Sequence, residues 1–127
     1  MDADEIVLNR ISERIIGCAF TVLNEMGPGF LEKVYENCLA HELRKNGLGV
    51  AQQRPIIIQY DGIVVGEYTA DLLVDDCVII ELKAVRTLDS IHIAQCLNYL
   101  KATGLRLALL LNFGHPRLGI RRIVNDL

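Results

Sequence analysis

The sequence predicts an α/β fold assembled from layers, in the order helix, helix, three strands, helix, then one or two strands. Three observations carry that prediction. Apolar residues recur at three- and four-residue steps from Ile6 to Met26, which is the period of an amphipathic helix. The stretch "PIIIQYDGIVVGEYTADLLVDDCVIIELKAV" reads as three strands divided by turn residues. A further helical segment then separates it from "RLALLLNFG", a run with the character of a buried strand.

The first helix, expected over 4–26, places Leu8, Ile11, Ile15, Ile16, Ala19, Val22, Leu23 and Met26 on one stripe and stops at the "GPG" of Gly27, Pro28 and Gly29. A second is expected over 30–46, with Gly47 where a left-handed cap belongs. Strands follow over 54–60, 63–74 and 77–85, with Asp61-Gly62 a strong hairpin turn and Asp75-Asp76 a weaker one. A third helix, over 88–103, begins beside Thr87 or Asp89 as cap and ends at Gly104. A strand over 106–113 and a tail strand over 119–124 complete a single domain spanning 1–127, with no repeat, linker or low-complexity tract.

With 127 residues, 51 % hydrophobic and 23 % charged, the composition is that of one globular core. No apolar run reaches the roughly 18 residues that a membrane span requires. The opening "MDADEIVLNR" is acidic where a secretory signal would be basic, so a cytoplasmic protein with no membrane association is expected. Cys18, Cys38, Cys77 and Cys96 are scattered through apolar segments, which argues for buried thiols rather than a zinc cage or disulfide framework. The net charge of −3 is unevenly distributed: residues 1–83 hold 7 Lys and Arg against 14 Asp and Glu, whereas residues 84–127 hold 6 against 2. Phosphate contacts are therefore expected toward the basic end, from Arg86 and from the group of Arg117, Arg121 and Arg122.

Four charged side chains interrupt apolar segments: Glu32, Asp71, Glu81 and Lys83. Glu32 lies within about 20° of Leu39 and Leu43 around its helix, on the apolar stripe, where a carboxylate is costly without a partner. The competing reading is a first-turn glutamate that reaches solvent and is favoured by the helix dipole. Glu81 and Lys83 are two apart and so share a strand face, either as a solvated ion pair or as chemistry. If Asp71, Glu81 and Glu32 converge, they require a cation, and a set of carboxylate oxygens suits Mg²⁺. That convergence sets a condition on register. A strict two-residue turn at Asp75-Asp76 would put Asp71 opposite Ile80 and away from Glu81, so an odd-length connection or a bulge is expected. Gln95 and Tyr99, four apart on the third helix, share a face and form either a structural hydrogen-bonded pair or a contact to water and phosphate. His92 and Cys96 are also four apart and read as core packing.

Taken together, "GPGFLEKVYE", "YTADLLV", "VIIELKAV", "IHIAQCLNYL" and "LLLNFG" resemble, in order and spacing, the GxxExxY family, a branch of the PD-(D/E)xK nuclease superfamily, over nearly the whole chain. The resemblance implies a restriction-endonuclease-like mixed sheet flanked by helices, Mg²⁺ or Mn²⁺ as cofactor, and phosphodiester hydrolysis. Gly29, Glu32 and Tyr35 fill the motif that names the family, and Glu32 corresponds to the superfamily's helix acid. Asp71 corresponds to the metal-binding aspartate, and Glu81 and Lys83 to the E-x-K positions; Ala70 stands where the superfamily's name has proline, which is not a ligand. Gln95 and Tyr99 match a Q-x-x-x-Y signature. The implied roles are metal binding by Asp71, Glu81 and the Leu82 carbonyl with Glu32 on a second ion or a metal-bound water, and activation of the nucleophile by Lys83; nucleic-acid contacts are expected from Tyr35 and, on the charge distribution, from Arg86 and at least one of Arg121 and Arg122. The expected substrate is DNA rather than RNA, and a chain this small makes a homodimer with two centres attractive. The alternative is a non-catalytic nucleic-acid or protein-binding module on the same fold, since a fold does not by itself establish an activity.

Overall fold

The computed structural model describes residues 2–127; Met1, at the start of the expected domain, lies outside the described residues. Helix α1 (Ala3–Met26) starts at Asp2, whose Oδ1 accepts the Glu5 N–H at 2.7 Å, and it ends at Gly27. Its stripe of Leu8, Ile11, Ile15, Ala19, Val22 and Leu23 is buried as its period requires. Helix α2 (Glu32–Lys45) buries Tyr35, Leu39 and Leu43 completely. It closes in a Schellman motif, with Leu48 N–H donating to Leu43 O and left-handed Gly47 donating to Arg44 O. Both helices begin or end within two residues of the expected limits.

Strands β1 (Val50–Tyr60) and β2 (Ile63–Val74) form a long hairpin about Asp61 and Gly62, both at positive φ, with a bulge near Ile58 and Gln59. β1 begins four residues before the expected 54, because Val50, Ala51 and Gln52 pair with Val74, Leu73 and Leu72 of β2. Strand β3 (Val78–Lys83) is shorter than the expected 77–85, because Cys77 belongs to the turn and the chain beyond Lys83 leaves the ladder. Helix α3 (Ser90–Thr103) starts later than the expected 88: Asp89 caps it, and His92 Nδ1 accepts the Asp89 N–H to close a capping box. Strands β4 (Leu107–Asn112) and β5 (Gly119–Val124) complete the chain.

The result is a mixed five-stranded sheet in the order β1-β2-β3-β4-β5, antiparallel except between β3 and β4, which are parallel and joined through α3. This is the helix-flanked α/β architecture that the element order predicted. Leu72, Val78, Ile80, Leu82, Leu109 and Leu111 pack on one face against α1 and α2. Ile79, Ala108, Leu110 and Ile123 pack on the other against Cys96, Tyr99 and Leu100 of α3. Among the described residues no helix is long and apolar enough to cross a membrane.

Tyr35 corrects one expectation. It is fully buried, its hydroxyl donating to Gly27 O at 2.6 Å and accepting from Phe30 N–H at 3.1 Å, and its ring stacks on Phe113 at 4.9 Å. A side chain so enclosed holds the "GPG" turn onto α2 and has no surface for nucleic acid. Tyr35→Phe is therefore expected to cost about 1–3 kcal/mol, read from the denaturant midpoint, and to leave nucleic-acid affinity unchanged.

Candidate active site

The connection between β2 and β3 is three residues long. Asp75 and Asp76 both take left-handed φ, Cys77 is the extra residue, and the last rung pairs Val74 with Val78. With Leu72 opposite Ile80, the next step brings Asp71 opposite Glu81, on one face, as the odd-length connection requires. At that step side chains replace the ladder. Asp71 N–H donates to Glu81 Oε1 at 3.2 Å, and Leu82 N–H donates to Asp71 Oδ2 at 2.8 Å. Two carboxylates are thus wedged into the fork where β2 and β3 part.

Glu81 pairs onward with Leu110 of β4 and Leu110 with Arg121 of β5, while on the other side Gln53 stands between the pairs Gln52–Leu72 and Arg54–Ala70, at the level of Asp71. This level also marks a change of face. The α3-side core takes Ala51 and then Ile56 from β1, and Ala70 and then Leu73 from β2. Residues on one face of an unbroken strand differ by an even number, so each strand turns over once within that interval. Gln53, at φ 54°, is where β1 adopts a conformation that a non-glycine residue rarely takes.

Glu81 is only 5 % exposed, and burial first, then the Asp71 carboxylate, push its pKa from 4.5 up to about 8. Lys83, half-buried on the same strand face, pulls the other way. From α3, Cys96 and Tyr99 approach the same carboxylate: burial, then Glu81, push each of them to about 12. A consequence can be measured without any ligand. Because native Glu81 holds its proton where the unfolded chain has lost it, its contribution is complete below about pH 4.5 and lost as pH rises through about 8. In chelator the denaturation midpoint is expected to fall between about pH 5 and pH 8, and Glu81→Gln to flatten that fall.

Glu32 takes the second of its two expected settings, the first-turn glutamate that reaches solvent. It is exposed at the first turn of α2, and its Oε2 accepts the Ala84 N–H at 3.3 Å, just beyond Lys83. The helix therefore reaches the fork from the face opposite α3. Gln95 is half-buried and lines a cleft of about 370 Å³ with Tyr68, His92 and Tyr99, the two tyrosine rings lying 5.7 Å apart. Arg86 is exposed three residues past Lys83. Arg121 lies on the α3 face in the row of Glu81, two strands or about 10 Å away. The structure does not bring Arg122 to this face: it pairs with Leu109 of the opposite core, and its guanidinium donates to Asn9 of α1 at 2.6 Å.

Two residues near the fork escaped the sequence reading. Glu36, one turn beyond Glu32, is the buried acid of α2 at 3 % exposure, and it accepts from Lys33, Gln52 and Gln53. It falls within about 20° of Leu43 on the helix, so the stripe argument applied to Glu32 would have found it. Asn112, the polar end of an otherwise apolar strand, accepts from Val85 and Gly114 N–H at 3.0 Å each and donates to Val85 O at 2.9 Å. It pins the chain just past Lys83.

Among the described residues no three His, Cys, Asp or Glu side chains gather as a ready metal cage. The donor set is nonetheless one that a hard dication fits, because the carboxylates of half-buried Asp71 and buried Glu81 abut, and burial together with the Asp71 charge pushes the Glu81 pKa up to about 8, an arrangement that added positive charge relieves.

A family model described as the PD-(D/E)XK nuclease superfamily matches residues 9–123. Among solved structures, the one titled "Crystal structure of SSO0001" superposes with a TM-score of 0.56 at 19 % identity, covering 75 % of this chain and 50 % of that one. At that identity the likeness is one of fold, and the chain spans half the length of that structure. No curated protein matches the chain.

Proposed function

The chain belongs to the PD-(D/E)XK nuclease superfamily, and on that premise we propose that it is a metal-dependent nuclease that hydrolyses phosphodiester bonds in DNA. The observation that carries the reading is the Asp71–Glu81 step, where two carboxylates take the place of ladder bonds between β2 and β3 and Lys83 follows on the same face. A buried acid placed against a second, half-buried one costs stability, so their position favours a site over a structural pair. The finer assignment to the GxxExxY branch is supported by Gly29, Glu32 and Tyr35 in their motif, with Tyr35 serving the turn rather than the substrate.

In this reading Asp71, Glu81 and the Leu82 carbonyl would hold Mg²⁺ or Mn²⁺, and Glu32 would serve a second ion or its water. When bound, such an ion would supply Lewis-acid charge at the phosphate and would make water a better nucleophile. Lys83 orients that water and offsets charge growing on the phosphate. Gln95 and Tyr99 hold water or substrate in the cleft beside Tyr68, and Arg86 and Arg121 supply phosphate contacts on the same side. The free thiols of all four cysteines support a reducing, cytoplasmic setting. A homodimer carrying two such centres is part of the same reading.

The test is a panel of labelled single-stranded, duplex and branched DNA and of RNA, incubated with Mn²⁺ and with chelator. Mn²⁺-dependent cleavage of DNA that is lost in Asp71→Asn supports the reading. Binding of nucleic acid without cleavage of any substrate by the metal-loaded protein replaces it with a non-catalytic binding module.

A further inference from the structure

Three neighbouring observations about Gln53 have no place in the chemistry above. Its backbone sits at φ 54° inside a strand, its amide lies between two carboxylates, and one of those carboxylates is buried on a different element. Gln53 Nε2 donates to Glu36 Oε1 at 2.6 Å and to Asp71 Oδ1 at 3.5 Å. Glu36 is itself fixed, with Lys33 Nζ at 2.9 Å and Gln52 Nε2 at 2.8 Å on its other oxygen. We propose that Glu36 and Gln53 act in series as positioning residues for Asp71, setting the rotamer in which it receives the metal ion; this inference rests on the functional reading above.

The geometry gives each partner one task. An amide NH₂ has two hydrogens, so a single Gln53 side chain serves both acids and keeps two negative groups apart without itself carrying charge. Asp71 then has one donor on each oxygen: Gln53 on Oδ1, and Leu82 N–H on Oδ2 at 2.8 Å. Each carboxylate oxygen has a second lone pair, so two donors fix the plane of the group and leave acceptor capacity for a cation. Glu36 sets the direction of the Gln53 amide. Its anchorage on α2, next to the Lys33 cation, ties a ligand on the sheet to the helix that also carries Glu32. The left-handed φ of 54° at Gln53 accompanies this placement of its side chain between helix and sheet.

The variant that tests this is Gln53→Asn. Asparagine tolerates left-handed φ but is one methylene too short to span both acids. Glu36→Gln provides the second arm, because it sets an amide donor against the Gln53 donor. Calorimetric titration with Mn²⁺ alone is run on the full chain, on each variant, on the double variant and on Asp71→Asn, with melting of the metal-free proteins alongside. The expected result is Mn²⁺ binding weakened by about 10-fold in Gln53→Asn, with a metal-free melting temperature within about 3 °C of the parent. The double variant is expected to be no weaker than the weaker single variant. Mn²⁺ affinity of Gln53→Asn within about twofold of the parent, or losses that multiply in the double variant, overturn the inference while leaving the site intact. If the parent and Asp71→Asn bind Mn²⁺ alike, Asp71 is no ligand, and the functional reading falls together with this one.

Discussion

Lys83→Ala is expected to reduce cleavage by about 10²–10⁴-fold while leaving metal-dependent stabilisation intact. The two effects separate because the ammonium acts on water and phosphate, whereas the ion rests on carboxylates. The backbone at Lys83 is held independently of its side chain: Lys83 O accepts Phe113 N–H at 2.7 Å, and the residue lies in parallel register with Asn112. Truncation therefore leaves the strand in place. Asp71→Asn is expected to lose both properties, since the amide weakens the ion's site and disturbs the Leu82 hydrogen bond. For the parent, mass action predicts about 2.7 kcal/mol of stabilisation at a hundredfold excess of Mn²⁺ over its Kd. Thermal melts of the three proteins with and without Mn²⁺, run beside the cleavage assay, check both halves. A lysine variant that cuts as well as the parent removes Lys83 from the chemistry.

Gly114→Ala is expected to be among the most damaging single substitutions in the molecule. A Cβ at that position would stand 2.2 Å from Val85 O and 2.7 Å from Val85 N, backbone atoms with no freedom to retreat. The Asn112 side chain holds them there, bonding the amide and carbonyl of Val85 and the amide of Gly114. A loss of more than about 3 kcal/mol follows from moving that clamp. Cleavage should also fall at temperatures where the variant remains folded, because Val85 is two residues beyond Lys83. Gly66→Ala is the control: its Cβ would meet only Ile58 at 3.9 Å, ordinary contact. Equal melting temperatures for the two variants would mean that the Val85 segment is free to shift.

Most of the architecture was legible because it is written in periodicity. The stripe of α1, the Asp61-Gly62 turn and the apolar run of β4 are local patterns with local causes. The start of β1 was not, because Val50-Ala51-Gln52 has no alternation and owes its strand conformation to β2. The Asp71–Glu81 alignment was legible as a condition on the turn, and the three-residue connection meets it. What the sequence could not resolve is which way a polar tip points. Tyr35 has a surface-compatible hydroxyl that instead bonds the backbone of its own entry loop. Glu32 and Glu36 both lie on the stripe of α2, yet the first turn lets Glu32 out to Ala84 while Glu36 is covered by β1. Arg122 differs from Arg121 only by strand parity, which sends it to α1.

The site also has a history of assembly. Closing a chain loop costs entropy that grows slowly with its length, so contacts between near neighbours form most readily. Asp71 and Glu81 are ten residues apart and belong to one hairpin. By contrast, the Asn112 clamp on Val85 spans 27 residues, and the Glu32 contact with Ala84 spans 52. Of the contacts that build the site, the carboxylate pair is thus the most local closure and is expected to form first. The geometry around Lys83 waits for α2 and β4 to dock, so acids meet before the lysine that completes them is held.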